Sequence, residues 1–245
     1  MTVLAVSNQK GGVGKTTTAI NVAAYAALAG KRVLLVDFDP QGNASSVLVP
    51  AEQHPPGTIL DDQAPLPSTA AGVDVIPGGA GLRDREHHLV QASGGRQFMR
   101  KRLDGLKAVY DLVVIDCPPS LSLLPVNALL AADRLLIPIQ CEYFAMEGLS
   151  QLLAALQDLR EQGNGSLDLA GILLTMYDDR LALARQVAAE LRRHFPTHVL
   201  KTAIPRDIAL AAAPSHGKSI IDYDPLSAGG IAYLEATREL LHVLR

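Results

Sequence analysis

The run Val3-Leu4-Ala5-Val6-Ser7-Asn8-Gln9-Lys10-Gly11-Gly12-Val13-Gly14-Lys15-Thr16-Thr17 sets the terms for the rest of the chain. Val3 to Val6 read as a buried strand, a glycine-rich turn follows, and Thr16 to Ala29 reads as an alanine-rich helix. That order builds an anion cradle: glycines let backbone N–H groups converge, and the helix N-terminus adds its positive end. Lys10, Gly11, Gly12, Val13, Gly14, Lys15, Thr16 and Thr17 are therefore the phosphate-site candidates. Lys15 can reach the β- and γ-phosphates as a mobile charge, and the Thr16 hydroxyl is placed for Mg²⁺. The usual pattern G-x-x-x-x-G-K-[ST] would put a glycine at position 9, where this chain has Gln9 with Lys10 beside it. A glycine turn without a ligand is the bland alternative; strand, turn and helix occurring together select the nucleotide site.

Two further strands end in acids. Val33 to Val36 leads into Asp37-Phe38-Asp39-Pro40-Gln41-Gly42-Asn43, a turn shaped by Pro40 and Gly42. Carboxylates at the C-terminal end of a strand in an open α/β sheet lie where ligands bind. Tyr110 to Ile115 is apolar and ends in Asp116, the Walker B pattern, so Asp116 is the candidate to hold Mg²⁺, directly or through water. Cys117-Pro118-Pro119-Ser120 then makes a stiff loop. Cys117 reads as a small packed residue, because no histidine or other base is near it in sequence.

The strand and helix patterns alternate along the chain, which predicts an α/β fold: a mostly parallel twisted sheet with helices on both faces. Strands are expected at 73–77, 134–139, 170–175 and 199–204, and helices at 82–107, 149–160, 183–195 and 231–244. The proline-rich 44–72 stretch reads as a surface excursion within a single domain spanning 1–245, with no helix-turn-helix ahead of the cradle. Hydrophobic residues make up 48% of the 245 positions and charged ones 19%, which excludes global disorder. Two cysteines without C-x-x-C spacing argue against a disulfide framework. No long uncharged apolar run or signal-like start is present, so a cytoplasmic location is expected. The net charge of −3 means that any nucleic-acid binding must come from a local patch. His87-His88 offers only a weak metal reading, since adjacent positions face different sides of a helix.

The run Lys10 to Thr17 resembles the deviant Walker A motif of the ParA/MinD group of ATPases, in which the extra lysine is the signature. Taken alone, Lys10 would read as an ordinary solvated lysine. Asp37 to Asn43 resembles the ParA switch I segment, and Cys117 to Ser120 the family's switch II. Gln140-Cys141-Glu142-Tyr143-Phe144-Ala145-Met146-Glu147-Gly148 closely resembles a hallmark of ParA/Soj chromosome-partition proteins, near their dimer interface. The resemblance implies a P-loop ATPase with ATP and Mg²⁺ as cofactors, forming a homodimer when ATP is bound. It implies that Lys10 reaches across that dimer to the partner's phosphates, acting as an arginine finger does. It makes Asp39 the residue that positions the attacking water, with Lys15 and Lys10 completing the catalytic set and Asp37 supporting the magnesium shell. Met176, Pro205 and Asp207 become adenine-site candidates, the Asp207 carboxylate being able to accept a hydrogen bond from the 6-amino group.

The implied partners are non-specific double-stranded DNA and a ParB-like centromere-binding protein, giving a nucleoid-associated location. Arg185, Arg192, Arg193, Arg206 and Lys218 are the candidate DNA contacts; a solvated helix face is the alternative for the arginines near 190. The chain departs from the family pattern P-R-N-V-R-L-S-E-A-P, with Asp207 for Asn, Ala209 for Arg and Ala211-Ala212 for Ser-Glu. Two other classes stay open: a MinD-like membrane-surface ATPase that positions division, and a metabolic P-loop enzyme using ATP on a small substrate. The final helix lacks the Phe and Trp of a membrane-lying helix, and a helix packed on the sheet is expected instead.

Overall fold

The computed structural model describes residues 1–55, 57–83, 85–86, 97–120 and 122–244. Its frame is a seven-stranded sheet: β1 (Thr2–Val6), β2 (Val33–Asp37), β3 (Leu66–Pro67), β4 (Val73–Ile76), β5 (Leu112–Asp116), β6 (Arg134–Gln140) and β7 (Asp168–Thr175). The spatial order is β3-β4-β2-β5-β1-β6-β7. Every pairing is parallel except the two-residue edge strand β3 on β4. Period-2 alternation divides the strands between two cores. Val3, Ala5, Val113, Ile115, Leu135 and Ile137 face one core, while Leu4, Val6, Leu112, Val114 and Leu136 face the other. Strands buried on both faces must read as continuous apolar runs, which is why they were visible in the sequence.

The helices are α1 (Lys15–Leu28), α2 (Asn43–Leu48), α3 (Phe98–Asp104), α4 (Leu123–Ala131), α5 (Ala145–Gln162), α6 (Ala182–His194), α7 (Ile208–Ala212), α8 (Ile220–Tyr223) and α9 (Ala228–Val243). Leu124 and Ala128 of α4, Leu149 and Leu152 of α5, and Ala188 and Leu191 of α6 cover one face. Ala19, Ala23 and Ala26 of α1, with Tyr233, Ala236 and Leu240 of α9, cover the other. Alanines at 19, 23 and 26 are fully buried and let α1 come close to the sheet and to α9. Each fully buried Leu, Ile or Val contributes about 1.5–3 kcal/mol before conformational entropy is set against it. The C-terminal helix packs as the sequence predicts.

Two expectations change. The expected strand at 199–204 is not a continuous ladder on β7: it makes an isolated bridge, Ile172 to Val199, with Tyr177 to Pro205 beyond it. Leu200 N donates to Ile172 O and Ile204 N to Leu174 O. Between them the N–H groups of Lys201 and Thr202 donate to the Glu239 carboxylate on α9 at 2.8 and 2.9 Å. A side chain has captured two amides that a ladder would have used. The second change lies in 82–107, whose described part contains α3 and a helical turn at 81–83. His87-His88 falls outside the described residues.

Candidate nucleotide site

β2, β5 and β1 are neighbours; the first two end on site carboxylates and the third leads into the glycine loop. Val6 and Asp37 both register with Asp116, so two carboxylates stand side by side at the ends of adjacent strands. The glycine loop rises from β1 directly beside them. Gly12 and Gly14 have φ of 75° and 84°, values at which a side chain would be strained. Gly14 caps α1 without any side-chain hydrogen bond, and no acid lies in the first turn, so the helix's positive end is left open to an anion.

The loop is tethered rather than loose. Thr175 Oγ1 at the end of β7 donates to Val13 O at 2.9 Å, and Asn8 Nδ2 donates to Pro138 O at 2.7 Å. Asn8 Oδ1 accepts the Lys10 N–H at 3.0 Å. Lys15 is buried, and its Nζ donates to the carbonyl of Lys10 at 2.9 Å. Burial pulls the Lys15 pKa down, and the nearby Asp116 and Asp39 charges oppose that shift.

Asp116 is fully buried, and neither carboxylate oxygen has a hydrogen-bond partner of ordinary geometry, although the Thr16 hydroxyl is among its near neighbours. Burial first, and then the Asp37 charge, push the Asp116 pKa well above the carboxylate range. An orphaned buried carboxylate next to a hydroxyl is a hard-oxygen donor set that suits Mg²⁺. Among the described residues no cage of three or more protein ligands forms, and Mg²⁺ on a nucleotide does not need one. Thr16 and Asp116 would hold it; when bound, it neutralises charge on the phosphate oxygens.

Asp37 has a different setting. Its Oδ2 accepts Ser45 N–H at 2.7 Å and Ser45 Oγ at 2.6 Å, and its Oδ1 accepts Asp39 N–H at 3.2 Å. Burial lifts its pKa to about 6 against the pull of the Ser45 donors. Ser45 Oγ also accepts Gly78 N–H at 2.8 Å. A Cβ on Gly78 would lie 2.6 Å from Asp37 O, so only glycine permits this approach. With both oxygens committed to the backbone and Ser45, Asp37 fixes the turn that carries Asp39. Asp39 is itself buried, and its Oδ1 accepts Gln41 N–H at 2.9 Å.

Beside the loop lies a cavity of roughly 270 Å³. Gly12, Gly14 and Thr17 form its floor with Met176, Pro205 and Asp207 around it. Met176 has φ of 48°, a rare strained value for a non-glycine residue, and its neighbour Tyr177 N donates to Ile204 O at 2.9 Å. Sequence reasoning missed Thr175, Ile204, Leu210, Ala211 and Tyr233 as lining residues. They come from four separate segments, and the one sequence signal for close packing there, the Gly229-Gly230 pair, is not part of the sequence reading. Asp207 lines the cavity, but its Oδ1 accepts Ala209 N–H at 2.8 Å and its Oδ2 accepts Gly229 N–H at 2.6 Å.

Lys10 is exposed, and its ammonium pairs with the carboxylate of Glu142 in the same chain. Next to Glu142 the rings of Tyr143 and Phe144 are 77% and 65% exposed and pack edge to face at 5.0 Å. Burial raises the Cys141 pKa to about 11, and the fully buried Cys117 is pushed up further, so both are packing thiols. The candidate cations do not form one cluster of like state. Arg193 pairs with Glu190, and Arg185 donates to Asp179 O at 2.6 Å. Arg192, Arg206 and Lys218 are exposed and have no carboxylate within 4.0 Å among the described residues.

A family model described as an AAA domain matches residues 1–169. The sporulation initiation inhibitor protein Soj of Bacillus subtilis is 46% identical over 97% of this chain and 97% of its own length. The chromosome partitioning protein ParA of Caulobacter vibrioides is 45% identical over 98% of this chain and 93% of its own.

The chain belongs to the Soj/ParA family.

Like the chromosome-partitioning ATPase Soj of Thermus thermophilus, 47% identical over 97% of the chain and 94% of that protein, this Soj/ParA chain is a partitioning ATPase. It uses ATP and Mg²⁺. A Mycobacterium smegmatis cobyrinic acid a,c-diamide synthase with bound ADP and magnesium has the same fold, with a TM-score of 0.84 at 35% identity over 99% of this chain and 95% of that one. The cell-division ATPase MinD of Pyrococcus furiosus shares the fold at a TM-score of 0.80 and 24% identity, covering 99% of each chain. No described helix is long and apolar enough to cross a membrane.

Proposed function

We propose that this Soj/ParA ATPase works as an ATP-operated clamp: two chains close over two ATP–Mg²⁺, the closed form holds DNA without sequence preference, and hydrolysis releases it. The observation that carries the reading is the placement of two lysines. Lys15 is buried inside its own cradle, whereas the ammonium of Lys10 goes to the rim and rests on Glu142 beside exposed aromatic side chains. A lysine attached to the loop but not used by it is free to serve a second site. When a partner chain closes, Lys10 leaves Glu142 and meets the negative charge that develops on the partner's transferring phosphoryl group.

Within one chain the residues have separate tasks. Loop N–H groups and Lys15 bind phosphates, exchanging the Lys10 carbonyl for phosphate oxygen at Nζ. Asp39 orients the water in line, while Asp37, Ser45 and Gly78 hold Asp39 in place. The base enters the cavity beside Met176 and Pro205. Arg192, Arg206 and Lys218 are the cations available for DNA phosphates, and a ParB-like partner is the stimulus for turnover.

Retention on non-specific duplex DNA with ATP, ADP or no nucleotide, across a salt series, tests the reading. Retention with ATP alone, weakening steeply as salt rises, is the expected result. Retention that ignores nucleotide, or none in any state, would overturn it. The synthase similarity has a test of its own: ATP turnover should need no amine donor or small-molecule acceptor.

A further inference from the structure

Asp207 sits at the mouth of the base cavity, where a carboxylate invites a direct contact with the base. Its hydrogen bonds place it elsewhere. One oxygen accepts Ala209 N–H at the start of α7, and the other accepts Gly229 N–H in the first turn of α9. One side chain thus joins the beginnings of two helices from separate parts of the chain. The consequence falls on Leu210, which lines the cavity. A Cβ on Gly229 would lie 2.5 Å from both Cγ and Cδ1 of Leu210 and 3.1 Å from Asp207 Oδ2. The Leu210 side chain is seated in the space that Gly229 leaves empty.

α9 is also tied to the helix that carries the phosphate cradle. Tyr233, another cavity residue, shares a hydrogen bond with Thr18 Oγ1 at 3.0 Å, and Tyr25 donates to Gly230 O at 2.7 Å. Hence α1, α7 and α9 form one braced wall on the base side of the nucleotide.

We propose that Asp207 is a positioning residue that shapes the base pocket by clamping α7 to α9, with Gly229 as the socket that keeps Leu210 out of the base's space. This rests on the reading that the base occupies this cavity. It predicts an effect confined to the base. Asp207→Ala frees α7 from α9, and Gly229→Ala drives Leu210 outward into the cavity; both leave the loop, Lys15 and Thr16 untouched.

The experiment compares dissociation constants for Mg²⁺–ATP and Mg²⁺–inorganic triphosphate, with KM and kcat measured in parallel. In Asp207→Ala and Gly229→Ala the ATP constant should rise about tenfold or more. The triphosphate constant should stay within about twofold, and the loss should appear in KM and not in kcat. Adding Leu210→Ala to Gly229→Ala should restore most of the ATP affinity by removing the displaced side chain. ATP and triphosphate weakening together, or no rescue by Leu210→Ala, would overturn the proposal. So would Gly229→Ala leaving ATP affinity unchanged, the result a direct Asp207–base contact requires. Ala211→Phe, which fills the cavity without touching the clamp, separates the two readings. If it too leaves ATP affinity unchanged, the base does not lie in this cavity; if it alone weakens ATP, the cavity holds the base and the clamp proposal fails.

Discussion

Lys10 carries a charge that Glu142 of its own chain holds and that, in the proposed clamp, a partner's phosphates would claim. The Lys10–Glu142 pair is about half exposed at both ends, and such pairs contribute about 0–1 kcal/mol. In the proposed clamp Glu142 is therefore a light restraint, one that ATP-driven closure would overcome. Glu142→Gln should lower the apparent dissociation constant of the ATP-bound dimer by up to about fivefold, as read by sedimentation at half-saturating ATP. An unchanged or weaker dimer would show that Glu142 does not restrain Lys10. Lys10→Ala should leave ATP binding by the single chain intact and weaken the dimer. Asp39 has the opposite profile: Asp39→Ala should keep ATP affinity and reduce turnover about 10²-fold or more, leaving a long-lived dimer on DNA. Unchanged turnover would remove Asp39 from the chemistry.

At the scale of elements, the turn between β2 and α2 is held from a distance by the end of β4. Ser45 bonds both Asp37 and Gly78, so Ser45→Ala should loosen a unit that spans three segments. It should cost about 1–3 kcal/mol in urea unfolding and lower kcat while ATP–Mg²⁺ affinity holds; Ser45→Thr should recover part of the turnover. The same scale shows what the sequence could disclose. Val3 to Val6, Val33 to Asp37 and Leu112 to Asp116 were legible because burial on both faces demands apolar runs, and the acids that end the last two stand out. Contacts made by one side chain across long separations leave no periodic trace. Asp207 on Gly229, Glu239 on Lys201 and Thr202, and Gly78 against Asp37 are of this kind. Each was invisible until the elements had been brought together, and the first two changed how a segment was read.

For the whole molecule, the nucleotide site is a stored electrostatic cost. Among the described residues, Asp37, Asp39 and Asp116 are buried near a single buried cation, Lys15. The pKa of Asp37, about 6, and that of Asp116 both lie above the unfolded value. The contribution of Asp37 to stability is thus fullest below about pH 4 and is lost as pH rises through about 6, and that of Asp116 falls in the same direction. Asp116→Asn removes one of the like charges, and the amide replaces a carboxylate that makes no hydrogen bond in the chain. Without nucleotide or metal, this variant should be more stable than the parent at pH 8 by on the order of 1–3 kcal/mol, the gap narrowing toward pH 5. It should also lose Mg²⁺-dependent turnover. Urea unfolding at both pH values checks this, and a less stable variant at pH 8 would contradict it.

The two margins of the sheet carry a last consequence. At one, β3 is only two residues long and ends in Pro67, which has no N–H to offer a neighbour. At the other, 199–204 lies along β7 with the amides of Lys201 and Thr202 already occupied by Glu239. Neither margin is a template for adding strands from another copy. Crowded copies of this chain are thereby kept from zipping edge to edge into insoluble ribbons.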